Sequence, residues 1–121
     1  DIIESTDGLD NILLKIDVEG AEYRALDDIV KIQDRLESLV IEFHSIDVHM
    51  NSILDFIKKF NLDIVHIHAN NADFVYNKMP AMIEVTFSKN PKKIKDLPTI
   101  PHELDQTCEL TRRDIELLFD K

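Results

Sequence analysis

Ile12-Leu13-Leu14-Lys15-Ile16-Asp17-Val18-Glu19-Gly20-Ala21-Glu22 changes character at Asp17. Up to Ile16 it is an apolar run of strand length, and beyond it three acids surround a glycine. Such a run, passing directly into turn and helix-start chemistry, predicts a buried strand of an α/β sheet ending at a loop that opens a helix. Carboxylates favour a helix N-terminus and Gly20 permits a tight turn, so helix initiation explains residues 17–22 as readily as chemistry does.

Three further blocks share this composition, at residues 39–43, 62–67 and 82–87, and four strands are predicted in all. The first two are almost continuously apolar, as in inner strands of a parallel sheet covered on both faces, and both are expected to be central. Between them Ala25, Leu26, Ile29 and Val30 fall on one helical face, with Asp27, Asp28 and Lys31 on the other. Between the second and third blocks Met50, Ile53, Leu54, Ile57 and Phe60 recur at helical spacing. Asp47 is placed to cap that helix, and Lys58 and Lys59 lie near its C-terminal dipole. Strand, helix, strand, helix, strand predicts parallel neighbours joined by right-handed crossovers. Residues 69–81 contain two Asn and a Pro but no helical stripe, so the fourth strand is expected to return antiparallel in a long hairpin, making the sheet mixed. Residues 1–90 thus read as one α/β domain and 91–121 as a C-terminal extension. Pro91, Pro98 and Pro101 suit an extended tail lying over the domain. Thr-x-x-Asp at Thr111 predicts a capped helix over 111–119, the alternative being that 115–119 docks as a strand.

The 121 residues suffice for one core. With 24 acidic against 14 basic side chains the formal charge is −10, which repels phosphate backbones and anionic lipid, so no nucleic acid or membrane partner is expected. No apolar run approaches the roughly 20 residues of a transmembrane helix. The single Cys108 has no disulfide partner and no CxxC neighbour, which fits a reducing cytoplasm and removes thiolate zinc sites. The chain opens on Asp1 without a basic and then apolar leader, the expectation being an excised piece of a longer protein.

Ligands in open α/β sheets gather at the carboxyl ends of parallel strands. Here those ends read Asp17 to Glu22, then Glu42-Phe43-His44, then His66-Ile67-His68-Ala69-Asn70-Asn71, a convergence of acids, imidazoles and amides on one edge. Asp17 is placed to accept a proton or orient a hydroxyl. His44, His66 and His68 with Glu42 or Asp17 suggest a metal-dependent enzyme as one alternative. His66 and His68 share one strand face, but that spacing is equally common where a strand reaches solvent, and no residue is assigned as a metal ligand. His49 and His102 read as surface residues. Gly-x-Ser-x-Gly is absent and Cys108 has only His102 nearby, so acyl transfer has no support.

Leu14 to Glu22 resembles the signature of the FkbM family of S-adenosylmethionine-dependent methyltransferases, in which an apolar strand runs into Asp-x-Glu-Gly-x-Glu. The similarity continues through Leu39-Val40-Ile41-Glu42-Phe43-His44, His68-Ala69-Asn70-Asn71 and Pro80-Ala81-Met82-Ile83-Glu84-Val85-Thr86-Phe87, and into the tail at Leu104-Asp105-Gln106. It implies the C-terminal half of a Rossmann-like class I methyltransferase fold. In that fold a seven-stranded sheet has its last strand antiparallel and inserted by a hairpin, and the four blocks here stand for its fourth to seventh strands. The implied activity is methyl transfer from S-adenosylmethionine to a hydroxyl of a sugar or secondary metabolite. For such a transfer the catalytic set is expected to be Asp17, orienting or deprotonating the acceptor, with Glu19 and Glu22 shaping the adjoining loop, while Glu42, His44, His68, Asn70 and Asn71 are expected to contact a small-molecule or glycan acceptor. The glycine-rich loop for the cofactor follows the first strand of that fold. This chain has only Gly8 and Gly20, neither in a GxGxG context, so no cofactor-binding residue is assigned and the piece alone is expected to be inactive. The rival is a non-enzymatic α/β interaction or assembly module whose carboxylates are solvated helix starts. As a piece of the methyltransferase fold the chain leaves the outer edge of 12–16 unpaired, which predicts a homo-oligomer with residues 11–16 at or near the contact.

Overall fold

The four apolar blocks form four strands in a computed structural model that describes residues 1–74, 79–93 and 95–118. They are β1 (Ile12–Ile16), β2 (Leu36–Phe43), β3 (Asp63–Ala69) and β4 (Ile83–Ser88). The helices are α1 (Ile2–Ser5), α2 (Leu26–Ile32) and α3 (Ile46–Lys59). The strand order is β1-β2-β4-β3. β1 runs parallel to β2, with Leu14 opposite Leu39 and Ile16 opposite Ile41. β4 is antiparallel to both of its neighbours, and Val85 lies opposite Ile41 on one side and Ile67 on the other. The protein is therefore α/β with a mixed, open four-stranded sheet.

Two expectations are corrected here. β2 and β3 are not neighbours, because β4 lies between them. The burial pattern accounts for this: Val85 and Phe87 of β4 are nearly inaccessible, whereas β3 exposes Asp63, Ile64 and Val65 and makes a better edge. β1 is not central in this sheet either but forms the unpaired edge expected along 12–16: it has no strand on its outer side among the described residues, and Leu13 is 71% exposed.

α2 and α3 pack on one face of the sheet. Leu39, Ile41 and Phe43 alternate inward along β2 and meet Leu26, Ile29 and Ile32 of α2 and Ile46, Ile53 and Phe56 of α3. Phe56, Phe60 and Phe87 form a cluster, with ring centroids 4.8 Å apart for the first two and 5.2 Å for Phe60 and Phe87. Burying each such ring is worth about 1.5–3 kcal/mol. The face of α3 is rotated from the one expected: Ile46, Ile53 and Phe56 are buried, while Met50 and Leu54 are exposed. Its N-cap is Ser45, in left-handed conformation at φ 48°, and Asp47 lies in the first turn.

Across the sheet Glu42 faces Glu84, and Glu84 faces His68, so these three share the face opposite the helices. There the tail crosses β3. His66 Nε2 lies 2.8 Å from Asp105, and His68 Nε2 lies 3.4 Å from Asp114. The helix expected over 111–119 does not form within residues 111–118, and Phe119 lies outside the described residues. Asp114 turns to His68, and the Leu117 N–H donates to the Ile100 carbonyl at 3.2 Å, so long-range partners outcompete the local capping signature. An isolated bridge between Ile100 and Leu117 takes the helix's place. Of the predicted hairpin link, residues 75–78 lie outside the described residues. No helix among the described residues is long and apolar enough to cross a membrane.

Candidate functional site

After Ile16 the chain leaves the sheet through Asp17 and Val18, takes left-handed backbone at Glu19 (φ 53°) and Gly20 (φ 95°), and enters a 3₁₀ turn at Glu22–Arg24. Positive φ is inexpensive only for glycine, so the acidic loop is held open by its surroundings rather than by its own preference. What holds it is Glu22. This carboxylate is fully buried. It accepts from the Gly20 N–H at 2.8 Å and from the His44 N–H at 2.7 Å, and its Oε1 lies 3.1 Å from His44 Nδ1. Burial favours the protonated acid, but the bonds donated by the His44 and Gly20 N–H groups and by the imidazole outweigh it, and the carboxyl stays below its ordinary pKa. Glu22 therefore clamps the end of β1 to the end of β2.

The clamp aims His44. With Nδ1 on Glu22, Nε2 faces Asp17, whose Oδ1 is 3.9 Å away. One oxygen of Asp17, one of Glu42 and one nitrogen of His44 lie within 4.8 Å of one another. Asn70, just beyond β3, donates its amide to Glu42 Oε1 at 2.8 Å. The His44 ring is 14% exposed and the Asp17 carboxylate 46%, so the cluster opens to solvent on the Asp17 side. Tyr23 braces the His44 backbone: its hydroxyl donates to the His44 carbonyl, and its ring stacks on His49 with centroids 3.8 Å apart. Burial, together with the Glu22 and Asp47 carboxylates, pushes the Tyr23 phenol well above its usual pKa, so it remains a donor.

Asp17, Glu42, His44 and Asn70 thus come together, at the ends of three strands. Glu22, expected in the catalytic set as a residue that shapes the loop, is a positioning residue beneath His44 with no exposed surface. Glu19 is exposed and makes none of the hydrogen bonds or ion pairs of the cluster. Asn71, expected at the acceptor, is fully buried and docks the tail: its amide donates to Thr107 at 2.6 Å and to the Glu109 carbonyl at 3.1 Å, and its oxygen accepts from the Glu109 N–H at 2.8 Å. His68 belongs to the same docking through Asp114, so the three histidines of the metal alternative do not converge. His102 is exposed as expected, whereas His49 is half-buried by its stacking. Tyr23, Asp105 and Asp114 escape sequence reading, since each acts through a partner far along the chain. Only the adjacency of Tyr23 to Glu22 gives any signal.

Gly8 sits in the turn after the four-residue α1, and Gly20 in the acidic loop; neither belongs to a run of convergent N–H donors opening a long helix. Compared with protein-family models, with curated proteins and with solved structures, the chain has no match in any of the three.

Proposed function

We propose that the chain forms the acceptor side of an FkbM-like, S-adenosylmethionine-dependent O-methyltransferase of Rossmann-like class I fold. The observation that carries this reading is the convergence of Asp17, Glu42, His44 and Asn70 at the carboxyl ends of β1, β2 and β3. The strand order supports it, for a last antiparallel strand inserted beside its hairpin partner is what the resemblance implies for the fourth to seventh strands. Because these residues do not cradle the cofactor, the role of this chain is to bind and orient the hydroxyl.

Methyl transfer to oxygen is an in-line displacement, and the protein must fix the nucleophile and receive its proton. An acceptor hydroxyl between Asp17 and His44 spans a gap of 3.9 Å that is too long for a direct hydrogen bond between the two. Asp17 accepts the hydroxyl proton, and its half-exposed carboxylate is open to the acceptor. His44, oriented by Glu22, is the second contact on the same oxygen. The Glu42–Asn70 pair offers an acceptor and a donor side by side, which suits a neighbouring hydroxyl of a sugar. The test takes the reading frame that encodes this chain to its own start and assays transfer of labelled methyl to hydroxylated acceptors. Asp17→Ala is expected to abolish turnover with cofactor affinity nearly unchanged; undiminished turnover refutes the assignment.

A further inference from the structure

We infer that Asp17, Glu42 and His44 form a binding site for one divalent first-row transition-metal ion of the Mn²⁺ or Zn²⁺ type. Two carboxylates and an imidazole make a ligand set that such ions prefer, and one atom from each lies within 4.8 Å of the others. Ligands about 2.1 Å from a shared ion lie roughly 3–4 Å apart, and the 3.9 Å between His44 Nε2 and Asp17 Oδ1 falls in that range.

The surroundings of the imidazole point the same way. A metal-binding histidine characteristically donates its other ring N–H to a carboxylate, which fixes the tautomer and aims the remaining lone pair. Here Glu22, fully buried, takes Nδ1 at 3.1 Å and leaves Nε2 directed into the gap beside Asp17 and Glu42. Among the described residues Nε2 has no hydrogen-bond partner. Asn70 holds Glu42 through Oε1, fixing the second carboxylate in the same way. Three protein ligands leave the remaining coordination positions on the exposed Asp17 side, where water or a hydroxyl of the acceptor would bind. An ion there would lower the pKa of a water or hydroxyl bound to it, whose proton would leave to solvent on the exposed side. The inference rests on side-chain geometry and not on methyl transfer, so a failure of either reading leaves the other open to its own test.

The test is titration of chelator-treated, full chain with MnCl₂, reading free Mn²⁺ by electron paramagnetic resonance. Pulsed spectra of the bound ion report nitrogen coupling. One site per chain is expected, with imidazole nitrogen coupling that disappears in His44→Gln. Asp17→Asn and Glu42→Gln, both at partly exposed positions, are expected to weaken it at least about tenfold. His66→Gln is expected to bind as the parent does, because that ring belongs to the tail contact. Absence of binding overturns the inference. So does Mn²⁺ held equally by the parent, Asp17→Asn and Glu42→Gln, or bound without nitrogen coupling, since these mark diffuse attraction to a chain of charge −10.

Discussion

At the scale of single residues, histidine and carboxylate pairs perform two different tasks in this molecule. Glu22 and His44 build the site, whereas His66 with Asp105 and His68 with Asp114 fasten the tail to β3. The second task makes the tail acid-sensitive. Burial raises the pKa of Asp105, but the His102 N–H bond at 2.7 Å and the His66 ring outweigh it, and the folded carboxyl titrates below its ordinary value. A depressed folded pKa contributes stability that is fully present above the unfolded value and is lost as pH falls through the folded one. Amide protection at His102 is therefore expected to fall in acid, below the ordinary carboxylate range, and Asp105→Asn is expected to remove this dependence; hydrogen exchange across that range checks both. Asp17, Glu42, His44 and Asn70 were legible in the sequence because strand ends in an α/β sheet meet on one edge whatever else the chain does. Asn71 was not, since an amide that docks a tail reads the same as one that binds a ligand.

At the scale of elements, β4 couples the two halves of the sheet and sets the core. Phe87 is 1% exposed and meets Phe56 and Phe60 edge to face, at 5.9 Å and 5.2 Å. Phe87→Ala empties that space and is expected to cost about 3–5 kcal/mol in urea unfolding, whereas Leu54→Ala on the exposed face of α3 is expected to cost under about 1 kcal/mol. All four strands could be read from apolar blocks, and α3 from its spacing, but not the face that α3 buries. Apolar residues surround much of that helix, including Val48 at 73% exposure, so the packing partner decides the orientation. The helix predicted over 111–119 is absent from residues 111–118 for the same reason. Thr-x-x-Asp is a local signal, and Asp114 is committed to His68 instead.

At the scale of the molecule, the two edges of the sheet are treated differently. The tail lies against β3, while β1 presents an outer edge with no strand partner among the described residues and with Leu13 exposed. An open apolar edge templates pairing. The charge of −10 opposes association, but it is screened over about 8 Å at physiological salt, and each leucine or isoleucine buried is worth about 1.5–3 kcal/mol. Sedimentation equilibrium is expected to give a dimer or larger species that Leu13→Lys shifts toward monomer; a parent that sediments as one chain at all concentrations refutes this. The strand order has a consequence in time as well. Among the described residues β3 has one strand neighbour, β4, which is also the last of the four strands. As the polypeptide leaves the ribosome, β1 and β2 can pair early, but β3 must wait, unpaired, until β4 is made and inserts itself beside Leu39 and Ile41. The sheet is completed from its middle, only once β4 has been made, and until then the growing chain holds two unfinished pieces of one core.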